Sequence, residues 1–422
     1  MLSKFKPRSE FSRNVLTLMA GTTIAQAIPI AISPILTRIY SPEDFGVFAL
    51  YISIASMISV LATGRYELAI MLPKKDEDAA NILVLSIIIS FFVSSIALLG
   101  VFIFNENITN LLGNKEISNW LYFIPVTVLF TGIYQSFNYW LNRKQQYKRL
   151  ANSKVVQSGA TSATTLGMGF AGLGSVGLIF GGIFGQGVTV AILGKIIIKE
   201  DRSRLRAAKK LKILALIKRY KKFPIYNLPN ALIDGFRLSG IMILIAKFYT
   251  TATLGQFSLA WRMLQMPISL MGSALSQVFF QKIASVKKSD LNQIVKAFML
   301  KSAFMSAPIF LIIYFFAIDI FTIVFGENWK LAGEAASIMA PWLFLNFISM
   351  PMANVLIVLN RQEVVLMVAL FYMLIPLGIL LALNEIGFLH VLELITLSMS
   401  LTLLAYIGLV LVYIKKEESC GL

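Results

Sequence analysis

Residues 81–104 read NILVLSIIISFFVSSIALLGVFIF, a run without a single charged residue. A helix rises about 1.5 Å per residue, so a run of this length covers the hydrocarbon core of a bilayer, which is about 30 Å thick. Lipid cannot satisfy backbone donors and acceptors, so a spanning segment of this kind must be helical. The run therefore predicts a transmembrane helix.

Eleven further apolar runs of similar length bring the number of predicted spans to twelve. In the first half they are residues 15–37, 45–62, 81–104, 121–140, 156–172 and 177–198. In the second half they are residues 226–248, 254–274, 298–321, 335–358, 364–383 and 391–413. The chain is 57% hydrophobic, with a mean hydropathy of +0.76. The predicted fold class is an all-α polytopic membrane protein.

The positive charge lies in alternate gaps between these spans, and the formal net charge is +17. The basic gaps contain Lys4, Lys6, Arg8, Arg13, Arg65, Lys74, Lys75, Arg143, Lys144, Lys148, Arg149, Lys154, the eleven Lys and Arg of residues 199–222, Lys282, Lys287, Lys288, Lys296, Arg361, Lys415 and Lys416. The opposite gaps contain only Arg38, Lys115, Lys247 and Lys330. Because Lys and Arg of short loops stay cytoplasmic, this pattern predicts an inner (plasma) membrane protein with both termini cytoplasmic. No nucleic-acid motif accompanies the charge, so no nucleic-acid partner is expected.

The densest basic segment divides the chain into two six-span halves. We predict an N-terminal lobe at residues 1–198, a basic cytoplasmic linker at 199–225 and a C-terminal lobe at 226–422. Residues 203–222 of the linker can form a basic amphipathic helix, with Leu205, Leu211, Leu214 and Ile217 on its apolar side. Such a helix would lie on the anionic inner leaflet. A solvated linker fits the same composition equally well.

A short internal repeat relates the two halves. Arg38-Ile39-Tyr40 and the following Phe45-Gly46-Val47-Phe48-Ala49-Leu50 match Lys247-Phe248-Tyr249 and Leu254-Gly255-Gln256-Phe257-Ser258-Leu259, at an offset of about 209 residues. Chance similarity between apolar segments is the alternative. Six spans per half keep both halves in the same orientation, an arrangement that places substrate between the halves near the bilayer midplane.

Two arginines fall in the middle of predicted spans. Arg237 lies about 16 Å into the seventh span and Arg262 about 12 Å into the eighth. A charge facing lipid costs about 3 kcal/mol or more, so both side chains are expected to face a cavity, where they would bind an anionic substrate. The alternative is an internal ion pair of either arginine with Asp234. Arg38 and Lys247 would extend the basic path, or lie at the interface with their charges in water.

Other candidate chemistry is sparse. Asp234 is the deepest predicted carboxylate and hence the candidate proton or cation site. The single His390 and the single Cys420 cannot build a metal site or a catalytic triad alone, and no ATP-hydrolysis motif is present, so no cofactor is expected. Gly181 and Gly185 have the spacing that favours close helix packing.

The segment Leu36-Thr37-Arg38-Ile39-Tyr40-Ser41-Pro42-Glu43-Asp44-Phe45-Gly46 resembles the Wzx-type polysaccharide biosynthesis proteins, as does Arg65-Tyr66-Glu67-Leu68-Ala69-Ile70-Met71-Leu72-Pro73. These are flippases of the multidrug/oligosaccharidyl-lipid/polysaccharide exporter superfamily. The resemblance implies two six-helix lobes around a central cavity. It also implies movement of an undecaprenyl-diphosphate-linked oligosaccharide to the periplasmic leaflet by alternating access, for O-antigen, capsule or exopolysaccharide. Membrane lipids are then further partners, and glycan polymerase and chain-length regulator proteins are candidate partners.

Within the second motif, Arg65 and Glu67 are candidates for a cytoplasmic gate or, equally, for a structural clamp. Three other functions remain open at this point. A drug or cation antiporter of the same superfamily would require buried carboxylates rather than arginines. A glycan polymerase or ligase would require a large outer loop, and the longest one here, at about residues 105–119, has no recognisable catalytic group set. A scaffold would leave the buried arginines unexplained.

Overall fold

The computed structural model describes residues 10–207, 209–284, 290–359 and 361–420. The basic residues Lys4, Lys6, Arg8, Lys287 and Lys288 lie outside these ranges. The described part is helical, without a strand, and its α-helices are α1 (Glu10–Ile39), α2 (Pro42–Ser59), α3 (Asp76–Leu112), α4 (Ile117–Leu121), α5 (Ile124–Arg143), α6 (Tyr147–Phe170), α7 (Ser175–Arg206), α8 (Lys210–Arg219), α9 (Leu228–Phe248), α10 (Thr251–Ala284), α11 (Leu291–Phe325), α12 (Lys330–Ser349), α13 (Met352–Val358), α14 (Gln362–Ala382) and α15 (Phe388–Cys420).

All twelve predicted spans fall on helices, with residues 121–140 and 335–358 each divided between two, so the predicted fold class is confirmed. Eight segments of the described chain are both long enough and apolar enough to cross a membrane: Thr17–Ile39, Asp76–Leu112, Ile117–Arg143, Ser175–Arg206, Leu291–Phe325, Glu327–Val358, Glu363–Ala382 and Phe388–Lys416. The four remaining predicted spans correspond to α2, α6, α9 and α10. Of these, α6, α9 and α10 contain polar side chains within the helix, some charged and others with amide or hydroxyl groups. Such side chains are typical of helices that face protein rather than lipid.

The chain forms two compact units, Met1–Ser239 and Gly240–Leu422. The predicted boundaries at residues 198 and 226 remain a prediction.

In the first unit, glycines bring α7 directly against α6. A Cβ atom on Gly185 would lie 2.0 Å from Thr161 Oγ1 and 2.8 Å from the Gln157 carbonyl oxygen. One on Gly181 would lie 2.1 Å from Thr165 Oγ1. The expected packing role of this glycine pair is therefore confirmed, because a side chain at either position would separate the two helices.

A proline in α1 is compensated by a neighbouring helix. Pro29 has no N–H, so it cannot bond the carbonyl of Ala25 four residues earlier. Ser158 of α6 donates its hydroxyl to that carbonyl at 2.6 Å. The bond satisfies a backbone group that lipid could not, and it fastens α1 to α6.

An ionic cluster joins α3, α5 and α7 at one end of the first unit. Asp201 of α7 is buried and accepts a hydrogen bond from Trp140 Nε1 at 3.0 Å. It also pairs with Arg204 and lies 3.9 Å from Lys144. Lys144 in turn pairs with Asp76 at the start of α3. Breaking such a buried pair leaves an uncompensated charge, so these contacts fix the ends of the three helices.

The structure corrects the single helix predicted for the linker. Helix α7 continues to Arg206, and the separate helix α8 begins at Lys210. Leu216 of α8 is buried and Ile213 and Ile217 pack against the core, whereas Leu211 is 81% exposed and Leu214 is 47% exposed. The prediction of one helix over residues 203–222 was wrong, whereas the apolar side that it assigned to the inner leaflet remains a prediction.

The second unit has its own tight helix contact and polar clamp. A Cβ atom on Gly333 of α12 would lie 2.7 Å from the Cα of Ile318, so α11 and α12 touch at the backbone. The buried Gln256 of α10 donates to the Asn328 carbonyl at 2.7 Å and accepts from the Ala332 N–H at 2.9 Å. It thereby caps the start of α12 with both halves of its amide.

The two units repeat the same local structure where the sequences match. Ser41 Oγ accepts from the Asp44 N–H at the start of α2, and Thr250 Oγ1 accepts from the Thr253 N–H at the start of α10. These are equivalent N-cap bonds at an offset of about 209 residues.

The tyrosines of the repeat also correspond. Tyr40 donates its hydroxyl to the Thr165 carbonyl near the end of α6 at 2.6 Å, and Tyr249 donates to the Ile386 carbonyl just beyond α14 at 3.1 Å. Burial raises the pKa of Tyr40 to about 12, with Asp44 adding to the effect, so this hydroxyl remains a donor at physiological pH. In each unit, the end of the first span is therefore tied to the end of the fifth, which supports the internal repeat.

Candidate functional site

A left-handed turn positions the first pair of candidate residues. Gly64 and Arg65 follow α2 with φ values of 56° and 63°, and a 3₁₀ helix at Tyr66–Met71 begins directly afterwards. Such values are usual for glycine but uncommon for arginine. The turn reverses the chain sharply enough for the side chains at positions 65 and 67 to approach each other.

Arg65 and Glu67 form an ion pair inside the first unit. The Arg65 Nη1 atom lies 3.4 Å from Glu67 Oε1, and Thr63 donates its hydroxyl to the other carboxylate oxygen. The Glu67 side chain is 1% exposed and that of Arg65 is 29% exposed. The carboxylate is therefore enclosed, whereas the guanidinium still reaches open space.

That space is a cavity of about 320 Å³ within the first unit. Its lining comes from α2, α5, α7 and the turn: Ile52, Ala55, Ser56, Ser59, Val60, Arg65, Thr127, Thr131, Gln135 and Gln186. Thr131 accepts a hydrogen bond from Gln186 Nε2 at 2.9 Å, and the Thr127 hydroxyl lies 2.6 Å from that of Tyr51. One cation and several neutral donors and acceptors thus converge from separate helices.

Two polar atoms of this lining are buried without a hydrogen-bond partner among the residues that the structure describes. They are Arg65 Nε and Ser59 Oγ. A buried polar group that is left unpaired costs about 1–3 kcal/mol. Neither atom is exposed to the cavity, so its chemistry is set by the Arg65 guanidinium, whose side chain is 29% exposed, and fits an anionic or hydroxyl-rich group.

The beginning of α9 packs beside the same cavity. A Cβ atom on Gly235 would lie 3.2 Å from Val60, and the Ser239 hydroxyl lies 3.1 Å from that of Ser56. Arg237 lies midway between Gly235 and Ser239 along α9, and about 200° around the helix axis from each of them. It is partly buried, whereas Asp234 is exposed.

The other predicted site residues lie at different places. Arg262 of α10 is partly buried and belongs to the second unit, whereas Arg237 belongs to the first. Arg38 and Lys247 are exposed in the last turns of α1 and α9, where a cation interacts favourably with the helix dipole. Arg38 donates to the Pro34 carbonyl of its own helix at 3.0 Å. A joint anion site of these residues remains a prediction.

Sequence reasoning missed two sets of polar residues. The hydroxyls and amides of α5 and α7 that line the cavity looked like ordinary span residues, and only their convergence distinguishes them. Lys154 was assigned to a cytoplasmic gap, but it lies inside α6 and donates to Thr22 Oγ1 of α1 at 3.1 Å. The serines and threonines that follow Lys154 were a signal that this helix starts earlier and faces protein.

Comparisons with known proteins place the chain in a family. A model of the polysaccharide biosynthesis protein family matches residues 35–334. The chain belongs to that family, and the resemblance to Wzx-type proteins is confirmed. No curated protein sequence matches the chain.

Several solved structures of membrane transporters have a similar fold. The lipid II flippase MurJ, in an inward closed conformation, is 14% identical, with a TM-score of 0.73 over 97% of this chain and 91% of its own. An inward-facing multidrug resistance transporter of the MATE family is 16% identical, with a TM-score of 0.69 over 95% of both chains. A MOP superfamily transporter from Pyrococcus furiosus is 15% identical, with a TM-score of 0.62 over 96% of both chains. At this identity the likeness establishes the fold alone, that of a multi-pass membrane protein.

Proposed function

We propose that the protein is a flippase that moves an undecaprenyl-diphosphate-linked oligosaccharide repeat unit from the cytoplasmic to the periplasmic leaflet by alternating access. The product would feed the synthesis of O-antigen, capsule or another exopolysaccharide. In this proposal the chain is a transporter rather than an enzyme, lies in the inner membrane with both termini cytoplasmic, and works beside glycan polymerase and chain-length regulator proteins.

The observation that carries the proposal is the partly exposed guanidinium of Arg65 at the cavity of the first unit. A diphosphate offers charged oxygen acceptors to the guanidinium, and Arg is well suited to phosphate geometry. Gln135, Gln186 and Thr131 offer hydrogen-bond groups that suit sugar hydroxyls. Membership of a polysaccharide biosynthesis family supports the same substrate class.

The candidate roles of the predicted residues follow from this substrate. Arg65 would contact the diphosphate and Glu67 would hold the guanidinium in place, so the pair would act as a cytoplasmic gate that opens when the diphosphate replaces the carboxylate. Arg237, Arg262, Arg38 and Lys247 remain candidate contacts on the path, and Asp234 remains the candidate ion-coupling group.

A drug or cation antiporter is the second candidate, because two of the similar structures belong to multidrug resistance transporters. A cation pocket would require a free carboxylate, whereas the buried carboxylate here accepts from Thr63 and pairs with Arg65. The Pyrococcus furiosus transporter has a binding pocket of reverse polarity, which suggests a different function for that protein. Pocket polarity thus separates functions on this fold, and the cavity described here favours an anion.

The test is deletion of the gene in its native host, followed by complementation. Lipid-linked repeat units should accumulate on the inner leaflet of the deletion strain; accumulation on the outer leaflet would indicate a polymerase or ligase instead. Arg65→Gln removes a charge-assisted contact worth about 1.5–3 kcal/mol, so surface glycan should fall about 10-fold or more.

The matched control is Arg202→Gln, which removes an exposed arginine of α7 outside the cavity and should restore normal glycan. Arg237→Ala and Arg262→Ala should also abolish surface glycan while the protein remains in the membrane. Normal glycan in Arg65→Gln would reject the cavity as the substrate site, and normal glycan in the other two would reject the predicted path.

A further inference from the structure

A second cavity lies within the second unit, between α10 and α11, and encloses about 250 Å³. Leu275 and Phe279 of α10 form one wall, and Phe298 and Met305 of α11 form the other. The Phe279 and Phe298 rings are 4.1 Å apart between centroids, so they close one end of the cleft. The lining is mostly apolar, yet it includes the charged side chain of Lys301.

Lys301 interrupts an apolar face of α11. Ala297, Phe298, Lys301 and Met305 follow one another at intervals of one, three and four residues, which places them on the same side of a helix. A lysine facing hydrocarbon is costly, so its ammonium group needs water or an anion nearby. An apolar cleft with one cationic group is complementary to an amphipathic anion.

The length of α11 places this lysine at the level of the lipid headgroups. The helix has 35 residues, more than the about 20 needed to cross the hydrocarbon core. The stretch from residue 302 to residue 325 is long enough to span the core alone, at about 1.5 Å per residue. Leu300 and Phe304, on the adjacent face, are 74% and 83% exposed, as expected for side chains in contact with lipid.

We propose that this cleft binds one anionic phospholipid from the leaflet in which α11 begins, the cytoplasmic leaflet by the charge pattern. The lipid phosphate lies beside the Lys301 ammonium group, and one acyl chain lies along Phe298 and Met305. The site is independent of the cavity at Arg65 and does not require the proposed transport activity. A bound lipid would fill the gap between α10 and α11 and support the packing of the second unit.

Native mass spectrometry of the purified full chain can test this proposal, with dioleoylphosphatidylglycerol and dioleoylphosphatidylcholine titrated in detergent. A cationic side chain near a lipid surface contributes about 1 kcal/mol, so Lys301→Gln should weaken phosphatidylglycerol binding about five-fold. Phosphatidylcholine binding should change little. Ala297→Phe, which fills the cleft, should remove the tight phosphatidylglycerol adduct.

Lys296→Gln is the matched control, because Lys296 is exposed on the same helix, as Lys301 is, but lies about 140° around the helix from it. It should leave phosphatidylglycerol binding unchanged. If both lysine variants weaken phosphatidylglycerol binding equally, the effect comes from the overall charge of the protein and the proposed site is wrong. Unchanged binding in Lys301→Gln would also overturn the site. If the cleft binds undecaprenyl phosphate more tightly than phosphatidylglycerol, and this binding depends on Lys301, the occupant is the carrier lipid and the proposal is overturned as well.

Discussion

Gly185 tests how closely α6 and α7 are packed. In Gly185→Ala the new Cβ would lie 2.0 Å from Thr161 Oγ1, 2.8 Å from the Gln157 carbonyl oxygen and 2.9 Å from the Thr161 nitrogen. The threonine hydroxyl can rotate away, but the two backbone atoms cannot move without shifting α6. The helices must therefore separate by several tenths of an ångström.

Gly182 supplies the control, because a Cβ there meets nothing within 4 Å. Alanine is favoured over glycine in a helix by about 1 kcal/mol at both positions, so this preference cancels in the comparison. The remaining difference is the cost of overpacking, about 1–3 kcal/mol. Gly182→Ala should therefore be the more stable variant by that amount.

The assay is thermal unfolding in detergent, followed by circular dichroism, where each kcal/mol corresponds to about 2–4 °C for a unit of this size. Gly181→Ala should fall between the other two, because its nearest backbone contacts are 3.2 Å away. Thr161→Ala should rescue Gly185→Ala only in part, since the backbone contacts persist. If Gly185→Ala melts at or above Gly182→Ala, the close approach of the two helices is wrong.

Three further substitutions address single hydrogen bonds of the first unit. Ser158→Ala leaves the Ala25 carbonyl without its donor and should cost about 1–3 kcal/mol by the same assay, whereas Ser158→Thr should keep the bond and most of the stability. Tyr40→Phe should lower stability at pH 7. Burial raises the pKa of Tyr40 from 10.0 to about 12. The contribution of its hydroxyl to stability is therefore complete below pH 10.0 and is lost as the pH rises to about 12. The difference in stability between wild type and Tyr40→Phe should shrink over that range. Trp140→Phe removes the donor to Asp201 and should lower the melting temperature by several degrees without changing membrane insertion, as measured by fractionation.

The helices were predictable because each depends on local composition. A run such as residues 81–104 contains enough apolar length to define α3, and Ser41-Pro42 with Asp44 marks the start of α2 through a capping box. The Gly181 and Gly185 contact was also predictable, because its spacing lies within one helix. These signals do not depend on distant parts of the chain.

The cavity could not be predicted in the same way, because its lining depends on how α2, α5 and α7 pack. Thr131 and Gln186 are far apart in sequence, and nothing local marks them as partners. The burial of Glu67 follows from the left-handed turn before it, which a non-glycine residue at position 65 does not suggest. The two separate helices of the linker were also missed, since neither glycine nor proline separates Arg206 from Lys210 in the sequence.

The backbone at Arg65 has a consequence for protein engineering. Glycine occupies a φ of 63° freely, whereas a residue with a Cβ there costs about 1–3 kcal/mol. Arg65→Gly would relieve this strain but leave the buried Glu67 carboxylate without its ion-pair partner, which costs about 3–5 kcal/mol, so the variant should be less stable than the natural protein. A selection for thermal robustness would therefore keep arginine at this position, although glycine suits its backbone better.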